Sequence, residues 1–281
     1  MTASDLIRTM KDLPPASPAA LKLSGLLNRP TQHNDDIVEA LRCDSVLTAK
    51  LLRVCNSSYF ALREPAGSVA QAVLLLGHQE IVRIVLTLGF GGSLNRPLPG
   101  YAVADKEMWR HALTTALAAE RVSECAGSFE PAVAFTAGLL HDIGKLVLNQ
   151  VLTPDVQAAV RARIEQGTEA RDEAEKSVLN TDHAEVGACL LEEWRLPELV
   201  VEAVAHHHRP VVTPRPRLSA VVHVANGVAH LVGSAPGWDS YAVRVEEQAV
   251  SVLGLDGGQI EQLVISMHGC LQQVDQSLAL S

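Results

Sequence analysis

The sequence predicts an all-α fold, and three observations support the prediction. Aromatic residues account for only 4% of the 281 residues. Alternating runs of Val, Ile and Thr bounded by turn pairs are missing. Ala and Leu instead recur at three- and four-residue spacing almost throughout, as in amphipathic helices. With 47% hydrophobic residues, the chain can bury a substantial core and has the size at which one domain often becomes two.

Helix-start residues precede the apolar segments of the first third. Ser17 followed by Pro18 is typical of an N-cap and a first helical position, and Asp44 is a second candidate cap. Ser68 and Gly77 are expected to begin and end a further helix. The predicted helices of this part span Ala19–Leu27, Ser45–Cys55, Ser68–Gly77 and Gln79–Phe90.

A stretch of turn-forming residues, GGSLNRPLPGY at Gly91–Tyr101, interrupts the helical pattern. Gly, Pro, Ser and Asn are poor helix formers, and Pro97 and Pro99 should keep this connection out of regular helix. We therefore predict a domain boundary here. An N-terminal helical subdomain would cover residues 1–96, and a second helical subdomain would cover residues 102–281.

Helical periodicity resumes beyond this connection. The charge-rich segment ARDEAEK at Ala170–Lys176 has the ordinary composition of a solvated helix face, so it is given no functional role. The predicted helices of this part span Asp105–Gly127, Pro131–Gln150, Pro154–Gln166, Thr181–Arg195, Pro197–His206, Ser219–Val232 and Gly258–Leu278.

Composition and charge argue against several classes of function. The net charge of −9 has the wrong sign for holding a phosphate backbone, so general nucleic-acid binding is not expected. The most apolar run, Ile81–Phe90, contains Arg83 and is much shorter than the roughly 20 residues of a membrane span. Five widely spaced cysteines without a CxxC pair are typical of a reducing cytoplasm. No phosphate loop, dinucleotide fingerprint or nucleophile elbow is present, so no nucleotide cofactor is expected.

Most of the eleven histidines lie in the second half, on or beside predicted helices. Glu107 and His111 are four residues apart, so both would project from one helix face toward one ion or two adjacent ions. His141 and Asp142 lie in AGLLHDIGKLVL, interpreted as an apolar helix, where a buried carboxylate needs a partner such as a divalent cation. His206 is expected at an exposed helix end. The histidines left without a role are His33, His78, His223, His230 and His268.

Several motifs resemble the HD superfamily of metal-dependent phosphohydrolases. They are His111, the His141-Asp142 doublet with Gly144 and Lys145, His183 in DHAEVGACLLEEW, and His207-His208 in AVAHHHRP. The segments LPPASPAALKLSGLLN, DSVLTAKLLRVCNSSYFAL and SVAQAVLLLG resemble the N-terminal helical part of HDOD (HD-related output domain) proteins. The resemblance spans Leu13–Val232. It implies an HD-domain-like helical bundle with an additional N-terminal helical subdomain.

The resemblance also implies a metal-ligand set. In active HD enzymes the first His, the HD doublet and a later Asp hold a metal, and the HD-GYP phosphodiesterases add a Glu, another His and an HH pair. Lys145 would bind or polarise a phosphate, and Lys145 and Asp142 would be catalytic if the chain is an enzyme. The mixed nitrogen and oxygen ligands favour Fe, Mn, Zn or Ni. The matching metal positions are Glu107, His111, His141, Asp142, His183, His207, His208 and Asn226.

Two departures from the HD-GYP pattern weaken the enzymatic interpretation. Asn226, in VVHVANGVAH, stands where the last metal-binding Asp belongs and supplies no negative charge. The GYP segment is replaced by RPVVTPRPRLS, in which Pro210, Pro214 and Pro216 would impose a different loop path. We still expect the main ligands to converge in one pocket. These are His111, His141, Asp142, His183, His207 and His208.

Two hypotheses of different classes follow. The leading one is a cytoplasmic bacterial signalling module whose N-terminal half binds an unknown protein partner, with Ser68–Phe90 as the first place to look for an exposed patch. Its HD-like half would be a metal-containing base with a nucleotide or phosphate as candidate ligand, and with little or no phosphodiesterase activity. The alternative is a metal-dependent phosphohydrolase acting on cyclic dinucleotides or other phosphoesters. An enzyme should tolerate or gain from Asn226→Asp, whereas a scaffold should be indifferent.

Overall fold

The described part of the chain is entirely helical in its regular elements. Its only other pairing is an isolated antiparallel bridge between Leu98 and Val103, so the all-α prediction is confirmed. His33 and the loop containing Pro214 and Pro216 lie outside the described residues. The structure is a computed structural model that describes residues 2–9, 16–26, 34–41, 44–57, 59–165, 170–210, 217–237 and 245–280, with side chains only to residue 271.

Two predicted caps begin helices of the first part. The Asp44 carboxylate accepts a hydrogen bond from the Leu47 amide at 3.0 Å, and the Ser68 hydroxyl accepts one from the Gln71 amide at 3.2 Å. The helices before the connection are α1 (Ala3–Thr9), α2 (Pro18–Leu26), α3 (Asn34–Leu41), α4 (Ser45–Cys55), α5 (Val69–Leu76) and α6 (His78–Leu94). Of these, α1 and α3 are additional to the prediction.

Helix α6 is longer than predicted, because it continues past Phe90 to Leu94. Gly91 lies against the Trp109 ring, and an added Cβ there would be 3.1 Å from two ring atoms. The glycine therefore allows the helix to pack closely, rather than ending it. The prediction of a connection starting at Gly91 is wrong for its first four residues.

The remainder of the connection avoids α-helix, as expected from its prolines. Pro97 lies outside regular structure, and Pro99–Tyr101 forms a 3-10 turn. The amide of Gly100 donates to Asn149 Oδ1 at 2.8 Å, which ties this turn to the second half of the chain. The division at residues 1–96 and 102–281 stays a prediction.

The helices after the connection surround a central long helix. They are α7 (Glu107–Ala126), α8 (Pro131–Leu140), α9 (Gly144–Leu148), α10 (Pro154–Glu165), α11 (Arg171–Leu179), α12 (His183–Glu193), α13 (Glu198–Ala205), α14 (Leu218–Leu231), α15 (Glu247–Val252) and α16 (Gly257–Leu280). Helix α7 packs against α8, α14 and α16, and α12 packs against α9 and α13. Helix α1 also packs against α12, so the first part contacts the second. Helices α11 and α15 are additional to the prediction.

The HD doublet lies in a turn between α8 and α9, not inside one helix. The predicted helix over Pro131–Gln150 is therefore wrong at this point, because an apolar run is the same whether a helix continues or a buried turn breaks it. Gly144 then allows α9 to approach α12. An added Cβ there would be 2.0 Å from the His183 carbonyl oxygen and 2.5 Å from the Gly187 nitrogen. The turn thereby brings Asp142 next to the start of α12.

The same stretch meets the length and composition of a membrane span. Pro131–Leu148 has 18 residues and a mean hydropathy of 1.3, but 89% of it is buried inside the protein. Helix α8 contacts α6, α7, α13 and α14. The stretch therefore forms part of the centre of the fold.

Candidate metal centre

Six predicted ligands come together among the helices that follow the Gly91–Tyr101 connection. His111 lies on α7, the HD doublet follows α8, His183 begins α12, and His207-His208 follows α13. Their ligand atoms form two groups, in each of which all atoms lie within 4.8 Å of one another. The groups are His111–His141–Asp142 and Asp142–His183–His207–His208. The fold thus gathers residues from distant positions around one shared carboxylate.

Asp142 presents one oxygen to each group. Its Oδ2 lies 3.6 Å from His111 Nε2 and 3.4 Å from His141 Nε2. Its Oδ1 lies 3.4 Å from His183 Nε2 and 3.8 Å from His207 Nε2. A carboxylate in this arrangement can contact two adjacent cations, one through each oxygen.

Backbone carbonyls fix the orientation of three imidazoles. Nδ1 of His111 bonds to the Ser234 carbonyl at 2.5 Å, and Nδ1 of His141 bonds to the Gly138 carbonyl at 2.8 Å. Nδ1 of His207 bonds to the carbonyl of Val204 at 2.8 Å. A carbonyl only accepts hydrogen bonds, so each Nδ1 carries the proton. In the neutral rings, each Nε2 then directs a lone pair toward the cluster.

Unpaired electron donors inside the cluster fit a cation. The Nε2 atoms of His111 and His141 lie 3.2 Å apart, and two facing lone pairs repel unless a cation or proton lies between them. His207 Nε2, a ligand atom of the cluster, is buried without a hydrogen-bond partner. Asn226 Oδ1, on α14, is also buried without a hydrogen-bond partner. Imidazole nitrogens with a carboxylate oxygen are the ligands of divalent transition metals. The residues present therefore fit a divalent transition metal, the cofactor that the sequence resemblance implies.

Burial keeps the imidazoles in the form that binds metal. Burial, with a smaller contribution from neighbouring rings, lowers the pKa of His111, His207 and His208 well below the ordinary value for histidine. These rings are neutral at neutral pH. For Asp142, burial alone would raise the pKa, but the ammonium group of Lys145 beside it holds the pKa well below its ordinary value. The carboxylate therefore stays charged.

Lys145 is buried beside the doublet. Its side chain is 3% exposed, and its Nζ donates to Asp142 Oδ2 at 2.7 Å. Nζ also lies 5.9 Å from the centre of the Tyr101 ring, within the range of a cation–π contact. The lysine predicted to contact phosphate thus pairs with the shared carboxylate.

Two other predicted ligands are placed differently. Glu107 is exposed at the start of α7, where its Oε2 accepts the Ala104 amide at 2.8 Å, and it joins neither group. Four-residue spacing gives two residues a common helix face but not a common depth, and His111 lies one turn further into the core. Asn226 lies on α14, which packs against α7, α8 and α13. Its side chain is 6% exposed.

The structure adds one residue that the sequence analysis missed. Glu175 is fully buried on α11, and its Oε2 accepts hydrogen bonds from the His183 amide at 2.9 Å and from His183 Nδ1 at 2.6 Å. The prediction of a solvated face over Ala170–Lys176 is therefore wrong, since Arg171 and Asp172 are buried as well. A charge-rich helix carries no sequence signal that it will fold back onto the start of the next helix.

The remaining histidines are mostly structural. His223 Nδ1 donates to the His207 carbonyl at 2.8 Å, and its Nε2 accepts the Glu246 amide at 3.0 Å, which anchors the segment that holds the HH pair. The His230 ring lies 5.2 Å from the His111 ring, at the edge of the cluster. His206 is exposed after α13, as expected.

Sequence comparison assigns the family. The model of the HDOD domain matches residues 13–210, which is more than half of the chain. The chain therefore belongs to the HDOD family, as the sequence resemblance implied.

Relatives reproduce the fold at low identity. An uncharacterized protein of Treponema pallidum (strain Nichols) is 24% identical over 238 residues, which are 83% of this chain and 45% of that protein. The chain thus spans less than half of this curated relative. A crystal structure from Marinobacter aquaeolei VT8, provisionally described as a signal transduction protein, matches with TM-score 0.77 and 23% identity over 100% of this chain and 61% of that one. A structure from Shewanella amazonensis SB2B, provisionally described as a phosphohydrolase, matches with TM-score 0.72 and 26% identity, covering 99% and 98%.

Proposed function

We propose that this chain is a signalling module whose HD part holds a divalent transition metal and whose output is binding, not hydrolysis. The observation that carries the proposal is the shared Asp142, which faces inward-pointing imidazoles on both sides, in a cluster whose ligands are buried except for the partly exposed His208. His111, His141, Asp142, His183 and His207 are each at most 2% exposed. A buried set of this kind suits an ion that stabilises or regulates a fold.

Access and charge argue against efficient hydrolysis. A phosphoester must reach both the ion and Lys145, yet within the described chain Lys145 is 3% exposed and paired with Asp142. Asn226 contributes no negative charge, so Asp142 is the one carboxylate in the two ligand groups. Fewer negative ligands change both metal affinity and the acidity of metal-bound water. Binding is therefore the better supported activity.

The first part of the chain supports a role in binding a protein. Leu74 and Leu75 on α5 are 79% and 49% exposed, within the segment where an exposed patch was expected. Contiguous exposed apolar side chains, unlike single ones, mark contact surfaces, and these two leucines are adjacent. The partner, and a nucleotide or phosphate ligand of the HD part, remain proposals. The description of the Marinobacter protein suits this role, although its 23% identity supports only the common fold.

The second candidate is a metal-dependent phosphohydrolase. It is favoured by the buried Lys145 at 2.7 Å from Asp142 and by the description of the Shewanella structure. The histidines and Asp142 would hold the metal, and the metal would supply an activated water. Lys145 would then stabilise the charge that develops on a phosphoryl group.

Metal content and turnover test the two candidates together. Untagged wild type, Asp142→Ala and Asp155→Ala would be loaded with Mn or Fe, desalted and measured by elemental mass spectrometry. Asp155 is exposed on α10 and serves as the matched control. We expect metal in wild type and Asp155→Ala, none in Asp142→Ala, and no turnover of cyclic di-GMP or an aryl phosphate.

Two results would overturn the proposal. Wild type without metal after loading would remove the metal centre. Hydrolysis that both His141→Ala and Asp142→Ala abolish would establish the phosphohydrolase instead. Asn226→Asp adds a graded comparison, since an enzyme should keep or gain turnover and a binding module should show none.

A further inference from the structure

We propose that Glu175 is a positioning residue for His183, and that it sets the metal affinity of the ligand group that contains His183. The inference rests on the proposed metal function and names a residue outside both ligand groups. Glu175 is not itself a metal ligand in either group. It acts through the imidazole to which it is bonded.

The two hydrogen bonds of Glu175 converge on one residue. Its Oε2 accepts from the His183 amide at 2.9 Å and from His183 Nδ1 at 2.6 Å. The pair of bonds fixes both the backbone and the ring of His183, and it keeps the proton on Nδ1 because an ionised carboxylate only accepts. His183 Nε2 is thereby directed into the cluster, where it lies 2.7 Å from His208 Nε2 and 3.4 Å from Asp142 Oδ1.

His183 differs from the other imidazoles in what supports it. His111, His141 and His207 donate to neutral backbone carbonyls, whereas His183 donates to a carboxylate. A carboxylate makes a stronger, charge-assisted hydrogen bond and increases the electron donation of the ring to a metal. It also adds a negative charge beside two ligand groups in which, among the described residues, Asp142 is the one carboxylate. The hydrogen bond from His183 to the Glu175 carboxylate thus favours binding of a cation at His183 Nε2.

Capping of α12 does not account for a buried carboxylate at this place. Helix α12 already has Asp182 as its N-cap, whose Oδ1 accepts the Glu185 amide at 2.8 Å. Removing a carboxylate from water costs several kcal/mol, and the guanidinium of Arg171, on the same helix, comes only to 3.9 Å from Glu175 Oε1. A helix cap would need only the bond to the His183 amide. The additional bond to His183 Nδ1 is therefore not explained by capping.

Cobalt binding to the metal-free protein tests the inference directly. Co²⁺ affinity would be measured by equilibrium dialysis, with the visible absorption spectrum as a second readout. We expect Glu175→Gln to weaken Co²⁺ binding roughly 10-fold and Glu175→Ala roughly 100-fold, with a changed spectrum. The control is Glu185→Gln, which removes a partly exposed carboxylate, paired with Lys176, from the same end of α12. It should stay within about twofold of wild type.

A double variant separates positioning from general stability. If Glu175 acts through His183, then Glu175→Ala causes no further loss of affinity in the His183→Ala background. If the fold-losses of Co²⁺ affinity in the two single variants multiply in the double variant, Glu175 has a structural role and the inference is overturned.

The outcomes distinguish this inference from the proposed function. Wild type that binds no Co²⁺ overturns the metal function itself. Wild type that binds Co²⁺, with Glu175→Gln equal to Glu185→Gln in affinity and spectrum, overturns only the role of Glu175. If Glu175→Ala does not fold, the nearly isosteric Glu175→Gln decides by the same criterion.

Discussion

The helices α1–α6 and the helices around the metal centre bury different kinds of side chain. In the described part of α1–α6, the buried polar side chains are Ser24 and Ser93, and the Ser24 hydroxyl donates to a carbonyl of its own helix. Around the centre, ionisable side chains are buried together. Burying a charge costs desolvation free energy, and apolar packing does not offset this cost. The difference indicates that packing explains the first region and that ligand chemistry explains the second.

The surfaces show the reverse contrast. Most of the large apolar side chains exposed in the described chain belong to the first region. They are Val46, Tyr59, Leu74 and Leu75, compared with Leu231 and Ile265 in the second region. The first region thus exposes apolar side chains, and the second region buries ionisable ones. This distribution agrees with the proposed contact surface and the proposed metal site.

The largest expected effect is at the shared carboxylate. In the metal-free protein, Asp142→Asn breaks the buried ion pair between Asp142 Oδ2 and Lys145 Nζ, which are 2.7 Å apart. We expect the free energy of unfolding, measured with urea, to fall by about 3–5 kcal/mol. The matched change in the first region is Glu80→Gln, which breaks a partly exposed pair with Arg83. Arg83 keeps Glu120 at 2.9 Å, so this change should cost about 1 kcal/mol or less. Similar losses for both variants would contradict the contrast between the two regions.

The next effect concerns two helical glycines. Gly144→Ala would place a Cβ 2.0 Å from the His183 carbonyl oxygen, so α9 and α12 would have to separate. We expect a loss of about 3 kcal/mol, or failure to fold. Gly92→Ala, on α6, has open space around its Cβ and should raise stability by about 0.5–1 kcal/mol. Thermal unfolding of both variants measures the difference, and a stable Gly144→Ala would show that the HD turn does not depend on this contact.

The sequence could predict part of the fold and part of the candidate site. The HD doublet and its imidazoles were predictable by resemblance, and Asp44 began a helix as its chemistry predicts. The break at the doublet was not predictable, because an apolar run does not reveal a buried turn. Glu175 was missed because its contact depends on how α11 lies against α12, and Glu107 was misplaced because spacing along a helix does not specify depth.

A smaller effect is expected on acidification of the metal-free protein. The folded chain keeps His111 and His207 neutral, because burial lowers their pKa well below the ordinary value of 6.5, whereas the unfolded chain binds protons near that value. The unfolded state therefore binds more protons, and the free energy of unfolding falls as the pH falls from about 7 to 5. For His183, Glu175 outweighs burial and raises the pKa, so this one ring opposes the trend.

Urea unfolding at both pH values measures this dependence. We expect wild type to lose on the order of 2 kcal/mol, and His207→Gln to lose less. His206→Gln alters an exposed neighbouring ring and should keep the wild-type dependence. Equal dependence in all three proteins would show that the cluster does not control acid stability.

The smallest effect on stability is expected at the exposed leucines of the first region. Leu74→Ser and Leu75→Ser alter side chains that are 79% and 49% exposed, so each should change the free energy of unfolding by less than about 0.5 kcal/mol. Leu51→Ala, on α4, removes a side chain with 0% exposure and should cost about 2–5 kcal/mol. If the serine variants unfolded as readily as Leu51→Ala, these leucines would belong to a core. Unchanged unfolding and metal content, together with a lost signalling output, would instead place the function of this region on its surface.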